Sequence, residues 1–193
     1  MKMELDGAEA EAEDQSRWVF RAHIAGVNVV ATTPDGRFAV SGANDNTLRV
    51  WDLATGTSWA TLLGHTGWVW ALALTADSRH AVSGSQDGTL RVWDLETGQC
   101  VQILTGHTDA IWALALVPGD QQVVSASGDT TVRLWDLPTG SCVQTFLGHL
   151  DKVVTVAVTA DGRYAVSGSV DHMVRVWDLA PEREDVPGEG AAG

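Results

Sequence analysis

The sequence predicts an all-β fold made of four repeats, each with four short antiparallel strands. The first observation is a Trp-Asp dipeptide that recurs every 42 residues, at Trp51, Trp93, Trp135 and Trp177. The second is that short apolar segments alternate with turn residues throughout each repeat, with no helical periodicity between them. Such a strict period indicates units that cannot bury their apolar faces alone and therefore pack on their neighbours.

The third repeat shows the predicted elements most clearly. Its apolar segments place strands a, b, c and d at residues 111–117, 122–126, 131–136 and 142–147. Proline, glycine and aspartate separate these segments, and all three residue types favour turns. The same order of strands is expected in the other repeats.

A histidine, a serine and an aspartate recur in the same register as each Trp-Asp dipeptide. The four sets are His23, Ser41, Asp45 and Trp51; His65, Ser83, Asp87 and Trp93; His107, Ser125, Asp129 and Trp135; and His149, Ser167, Asp171 and Trp177. Histidine, serine and aspartate also make up a hydrolase triad. A catalytic site is needed only once, however, so a set that occurs four times favours a structural role.

These motifs resemble the WD40 repeat family over residues 17–179. The Gly-His pair, the aspartate between strands b and c, and the Trp-Asp that ends strand c carry the resemblance. The family fold is a β-propeller, in which four-stranded blades surround a central channel. The resemblance implies a hydrogen-bonded His-Ser-Asp-Trp chain inside each blade, and protein binding on the narrow top face near the channel.

The last repeat ends without a strand d, whereas residues 17–21 stand where strand d precedes the histidine in the other units. The resemblance implies that this N-terminal strand supplies the outer strand of the last blade. Four blades leave two apolar faces to cover, and three arrangements would do so. We favour a homodimer that forms an eight-bladed ring over a portion of a longer propeller or a closed four-bladed monomer.

The net charge of −13 lies mostly outside the repeats. Residues 1–16 carry six acids and one base, and residues 180–193 carry four acids and one base. Both segments lack hydrophobic periodicity, so we expect disordered acidic tails on either side of a propeller region at 17–179. The charge argues against nucleic acid as a partner and favours a basic protein or peptide.

The remaining residues do not indicate a disulfide framework, a metal site or a cofactor site. Cys100 and Cys142 are too few for a disulfide framework, and His80 and His172 lack the spacing of metal ligands. No phosphate-binding glycine motif, signal peptide or membrane span is present. We therefore expect a cytoplasmic protein that is not an enzyme and that has no cofactor, metal or membrane contact.

The candidate binding residues lie at positions that differ between repeats. They are Trp68, Trp70, Trp112, Lys152, Asn28 and Gln86, which the resemblance assigns to the top face. The three tryptophans either form an aromatic docking patch or fill the channel mouth by packing on one another. The predicted function is a non-catalytic protein-protein interaction scaffold. The alternatives are a regulatory portion of a larger protein or enzyme, and a self-assembling structural repeat protein without a dedicated partner.

Overall fold

The computed structural model describes residues 16–180, which form strands and turns without any helix. In chain order the strands are β1 (Val27–Thr32), β2 (Phe38–Ala43), β3 (Leu48–Asp52), β4 (Thr57–Leu62), β5 (Val69–Leu74), β6 (His80–Ser85), β7 (Leu90–Asp94), β8 (Gln99–Leu104), β9 (Ile111–Leu116), β10 (Gln122–Ser127), β11 (Val132–Asp136), β12 (Cys142–Phe146), β13 (Val153–Val158), β14 (Tyr164–Ser169) and β15 (Val174–Asp178). The expected tails at 1–16 and 180–193 lie outside the described residues, apart from Ser16 and Ala180.

The strands form four antiparallel sheets, one for each repeat, and this confirms the predicted all-β fold. Blade 1 is β1–β4, blade 2 is β5–β8 and blade 3 is β9–β12, whereas blade 4 contains β13–β15 in the described chain. The strands of the third repeat begin and end within one residue of their predicted bounds. The turn residues therefore located the strands accurately.

Small residues on strand b let neighbouring blades pack closely. A Cβ built on Gly42 would lie 2.6 Å from Val69 Cγ1 of blade 2, and one built on Gly84 would lie 2.6 Å from Ile111 Cγ2 of blade 3. A larger side chain at either glycine would push the blades apart. The apolar core lies along these blade boundaries, in one continuous series from blade 1 to blade 4.

The described blades form an open arc. Val27 of blade 1 is 55% exposed, whereas its counterparts Val69, Ile111 and Val153 are fully buried by the preceding blade. At the other end, Val174 and Val176 of β15 are 73% and 63% exposed. Blade 4 packs against blade 3, through contacts of β13 with β9 and β10.

Residues 17–21 do not supply the outer strand of blade 4 within the same chain, in contrast to the expectation for a ring closed by one chain. They do not pair with β15, and the sheet of blade 4 has three strands in the described chain. They lie on blade 1 instead, where Phe20 stacks on Trp51 with ring centroids 4.6 Å apart. The physical reason is the open arc, which places β15 and residues 17–21 at opposite ends of the row of blades.

Candidate functional site

Four side chains form a hydrogen-bonded chain through the interior of blade 3. Trp135 Nε1 donates to Ser125 Oγ at 2.8 Å, Ser125 Oγ lies 2.7 Å from His107 Nε2, and His107 Nδ1 lies 2.7 Å from Asp129 Oδ2. An indole N–H can only donate and a carboxylate can only accept. These two ends set the direction of the chain, so the serine hydroxyl donates to Nε2 and the imidazole N–H at Nδ1 donates to the carboxylate.

The other three blades repeat this arrangement with contacts of 2.7–2.9 Å. The participating residues are His23, Ser41, Asp45 and Trp51 in blade 1; His65, Ser83, Asp87 and Trp93 in blade 2; and His149, Ser167, Asp171 and Trp177 in blade 4. Each aspartate also accepts the backbone N–H that follows its histidine, at 2.9–3.1 Å. The four networks therefore tie the loop before strand a to the turn between strands b and c.

The aspartates of the four networks are strongly favoured in their charged form. Burial raises the pKa of Asp45, but the hydrogen bonds from Thr47, His23 and the backbone outweigh burial and lower this pKa to about 2. The same competition places the pKa of Asp87, Asp129 and Asp171 far below the ordinary value. The carboxylates are therefore ionised hydrogen-bond acceptors at neutral pH.

The networks are closed to substrates. Ser83 and Ser125 are fully buried, and each serine hydroxyl already accepts from a tryptophan and contacts a histidine. A nucleophile must reach a substrate carbon, and these oxygens lie between the strands of a blade. The arrangement favours a structural role in all four copies.

Outside the four networks, the described residues include two free cysteines but no metal-binding cluster. Within residues 16–180, no three His, Cys, Asp or Glu side chains come together as a metal site. Cys100 and Cys142 are free thiols, each about 4 Å from an arginine Nη1 atom. No helix among the described residues is long and apolar enough to cross a membrane.

A β-bulge shapes the top of strand a in every blade. The bulge residues are Asn28, Trp70, Trp112 and Val154, which have no Cα partner in strand b. A bulge leaves one residue out of the ladder and redirects its side chain. Three of the sequence-predicted binding residues, Asn28, Trp70 and Trp112, therefore lie outside the regular pairing between strands a and b.

The structure brings Trp68, Trp70 and Trp112 together in one aromatic cluster. The Trp68 ring meets Trp70 edge to face with centroids 6.0 Å apart, and Trp70 stacks on Trp112 with centroids 4.1 Å apart. Trp70 and Trp112 are half-buried by this packing, whereas Trp68 keeps 44% of its surface exposed. We call these three residues the aromatic patch.

The other candidate residues surround the patch to different degrees. Gln86 is exposed, and its backbone N–H donates to the Trp68 carbonyl at 2.8 Å. Asn28 donates through Nδ2 to the Val69 carbonyl at 3.1 Å, so it reaches from blade 1 to the strand that carries Trp70. Lys152 is exposed on blade 4, and it takes no part in the ring contacts that define the patch.

Two features of this surface were not singled out from the sequence. Asp109 is an exposed acid two residues before strand a of blade 3, at a position where blades 1 and 2 have Ala25 and Gly67 and blade 4 has Asp151. Its variation between repeats was the signal that could have identified it. Trp112 Nε1 is a buried donor with no acceptor among the described residues.

A groove lies elsewhere, at the opposite end of the strands between blades 2 and 3. It encloses about 650 Å³ and brings Asp77 near His80 and Asp120. Asp77 Oδ1 accepts hydrogen bonds from Thr75 Oγ1 at 2.6 Å and from the Arg79 N–H at 2.9 Å. These bonds stabilise the turn to which Asp77 belongs. None of the predicted binding residues lines this groove.

Comparison with known proteins identifies the repeat. Residues 14–52, 56–94, 98–136 and 140–178 match the family model for the WD domain, G-beta repeat. The chain is 46% identical over 48 residues to the pre-mRNA-splicing factor PRP46 of Saccharomyces cerevisiae. It is 40% identical over 57 residues to a probable E3 ubiquitin ligase complex SCF subunit, sconB, of Aspergillus clavatus.

A third relative is F-box/WD repeat-containing protein 7 of Drosophila melanogaster, which is 53% identical over 36 residues. The three alignments cover 24%, 30% and 19% of this chain, and 11%, 8% and 3% of the relatives. The similarity therefore spans about a tenth or less of each relative.

Proposed function

Because the chain belongs to the WD40 repeat family, we propose that it is a non-catalytic scaffold that binds peptide or protein partners through the top face of its blades. The family model accounts for all four repeats, and two relatives are named as parts of a ubiquitin ligase complex or as an F-box protein. These similarities favour a protein partner in general. The choice of surface depends on the aromatic patch.

The aromatic patch is the observation that carries the proposal. Trp68 keeps 44% of its surface exposed, and its ring packs edge to face on Trp70, which in turn stacks on Trp112. Tryptophan is enriched at the energetic centres of protein interfaces, because one rigid ring buries a large area at a small entropic cost. A preorganised ring of this kind suits an extended peptide that crosses blades 2 and 3.

A basic partner fits the charges around the patch. Asp109 adds an exposed carboxylate on blade 3, and residues 17–179 have 15 acids and 10 bases, a net charge of −5. An arginine or lysine side chain would gain from cation–π contact with Trp68 and from the surrounding negative potential. The same potential opposes nucleic acid.

The experiment measures binding to an array of peptides of equal length with basic, neutral or acidic composition. We expect binding to basic peptides, and at least about a 10-fold loss of affinity when Trp68, Trp70 and Trp112 are replaced together by alanine. Trp59→Ala is the matched control, because Trp59 is exposed on β4 outside the patch. Equal binding by a folded triple variant and the native chain would refute the proposal.

A second role is favoured by the small share of each relative that the alignments cover. In this role the propeller is the regulatory portion of a larger protein, and the patch selects its partner. A self-assembling repeat protein without a dedicated partner is the remaining alternative, and an array with no preferred peptide would favour it. We propose a cytoplasmic location for all of these roles.

We also propose that two copies pair into an eight-bladed ring. The exposed ends of the arc support this pairing, because both present valines that are buried at the equivalent positions of the internal blades.

A further inference from the structure

We infer that residues 17–21 of one copy form the outer strand of blade 4 in a second copy, so that two chains close into one ring by exchanging strands. The inference rests on the pairing proposed above and is independent of the aromatic patch. It concerns the contacts that hold the two copies together.

The first observation is the register in which the N-terminal segment lies on blade 1. A Cβ built on Gly56 would lie 2.6 Å from the Trp18 ring. The equivalent glycines are Gly98 and Gly140, which face Ala60 and Gln102 of the preceding outer strands β4 and β8. Trp18, Ala60 and Gln102 are spaced by 42 residues. Trp18 therefore packs on blade 1 in the same way that the outer strand of blade 1 packs on blade 2 and the outer strand of blade 2 packs on blade 3.

A second contact gives the same register two residues further along. Phe20 stacks on Trp51 with centroids 4.6 Å apart, and Phe146 of β12 meets Trp177 with centroids 5.4 Å apart. Phe20 and Phe146 are equivalent positions three repeats apart. Residues 18 and 20 thus sit on blade 1 as the outer strand of a blade that precedes it.

Blade 4 has the complementary gap. In blades 1–3 the inward residues of strand c are nearly or fully buried, as in Leu48 and Val132, whereas Val174 and Val176 of β15 are largely exposed. The outer edge of β15 has no paired strand in the described chain. Unpaired backbone groups beside exposed valines form a template for another strand.

The internal blades specify how the strands would pair. Leu48 lies opposite Leu62, Leu90 opposite Leu104, and Val132 opposite Phe146. The same register places Phe20 of one copy opposite Val174 of the other. Both side chains would then lie in the position that is buried in blades 1–3.

The size of the interface is sufficient for a stable pair of copies. Each end face measures roughly 350 Å² from strand spacing and length. Closing two copies covers four such faces, about 1,400 Å² in total, which is within the range of stable interfaces. A head-to-tail contact closes when the rotation permits, and two copies give eight blades, a number that propellers use.

The first experiment is light scattering on the native chain at several concentrations. We expect about 41 kDa, twice the 20.5 kDa of one chain. The Val174→Asp, Val176→Asp double variant should return a folded monomer, with at least about a 100-fold weaker dimer, because a charge buried without a partner is costly. Val143→Asp is the control, since Val143 is also more than half exposed but lies on a paired outer strand.

The second experiment crosslinks Phe20→Cys to Val174→Cys in a Cys100→Ser, Cys142→Ser background with a short thiol crosslinker. Strand exchange gives a covalent dimer, including when the two single variants are mixed. A dimer by mass that does not crosslink would overturn the strand exchange and leave the pairing intact. A native monomer would overturn both, and an internally crosslinked monomer would indicate a closed four-bladed ring.

Discussion

Trp70 and Trp112 stack across the boundary between blades 2 and 3, with ring centroids 4.1 Å apart and planes 20° from parallel. The two interpretations of the aromatic patch therefore apply to different residues. The stacked pair contributes packing between blades, and Trp68, which meets Trp70 edge to face, offers the accessible ring. We therefore expect Trp70 and Trp112 to contribute mainly to stability and Trp68 to contribute mainly to binding.

Stability should depend on Trp70 much more than on Trp68. Trp70→Ala removes a half-buried ring and its stacking, so we expect the free energy of unfolding to fall by about 2–3 kcal/mol. Trp68→Ala should cost less than about 1 kcal/mol and yet weaken binding to basic peptides. Urea unfolding of both variants provides the measurement. Equal losses of stability would contradict the division.

The repeat could be predicted from the sequence, but the patch only in part. The 42-residue period located strands such as β9 and β11 within one residue, because turn chemistry is local. The bulges that carry Trp70 and Trp112 have no local signal of this kind. The stacking depends on the angle between neighbouring blades, and the close approach of Gly84 to Ile111 is one of the contacts at that boundary.

The ends of the arc show a second limit of prediction. The sequence identified residues 17–21 as the equivalent of an outer strand, and their packing on Trp51 agrees with that register. A period in the sequence does not specify whether neighbouring units meet within one chain or between two. That choice depends on the curvature of the arc, to which every blade boundary contributes.

Stability should fall in acid because of the four buried aspartates. The pKa of Asp45 is about 2 in the folded chain against an ordinary value of 3.8, and the other three network aspartates shift in the same direction. The unfolded chain then binds more protons below about pH 5, so this contribution is present above that pH and is lost between about pH 4 and 2. Urea midpoints at pH 6, 4 and 3 measure it.

Asp87→Asn is the matched variant for the acid measurement. It should lower the midpoint at pH 6 and reduce the further loss between pH 4 and 3, because the amide does not titrate. If the variant and the native chain lose the same stability between these pH values, the network aspartates are not responsible.

Blade 4 lacks one hydrogen bond that the other blades share. Thr47, Thr89 and Thr131 donate through Oγ1 to the network aspartate at 2.7 Å, whereas Met173 stands at this position in blade 4. Met173→Thr should restore the bond to Asp171 and raise the free energy of unfolding by about 1 kcal/mol. Thr131→Val is the reverse control, with an expected loss of about 1–2 kcal/mol. A neutral Met173→Thr alongside a damaging Thr131→Val would show that blade 4 does not limit stability.

Thr130 is held in a backbone conformation that β-branched residues disfavour. Its φ is 71°, and the equivalent residues Asn46, Gly88 and His172 have φ values of 66°, 77° and 69°. A left-handed conformation costs a β-branched residue about 1–2 kcal/mol, which a glycine avoids at some entropic cost. Thr130→Gly should therefore raise the free energy of unfolding by about 0.5–1 kcal/mol in urea titration.

The reverse change in blade 2 tests the same physics with a larger expected effect. Gly88→Thr adds the strain, and its Cβ would also lie 3.3 Å from the His107 carbonyl of blade 3. We expect a loss of about 2 kcal/mol or more. If both variants lower stability equally, the turn in blade 3 must hold Thr130 through side-chain interactions that outweigh its backbone strain. Thr130→Asn then decides the cause, because asparagine tolerates this conformation and already occupies position 46 of blade 1.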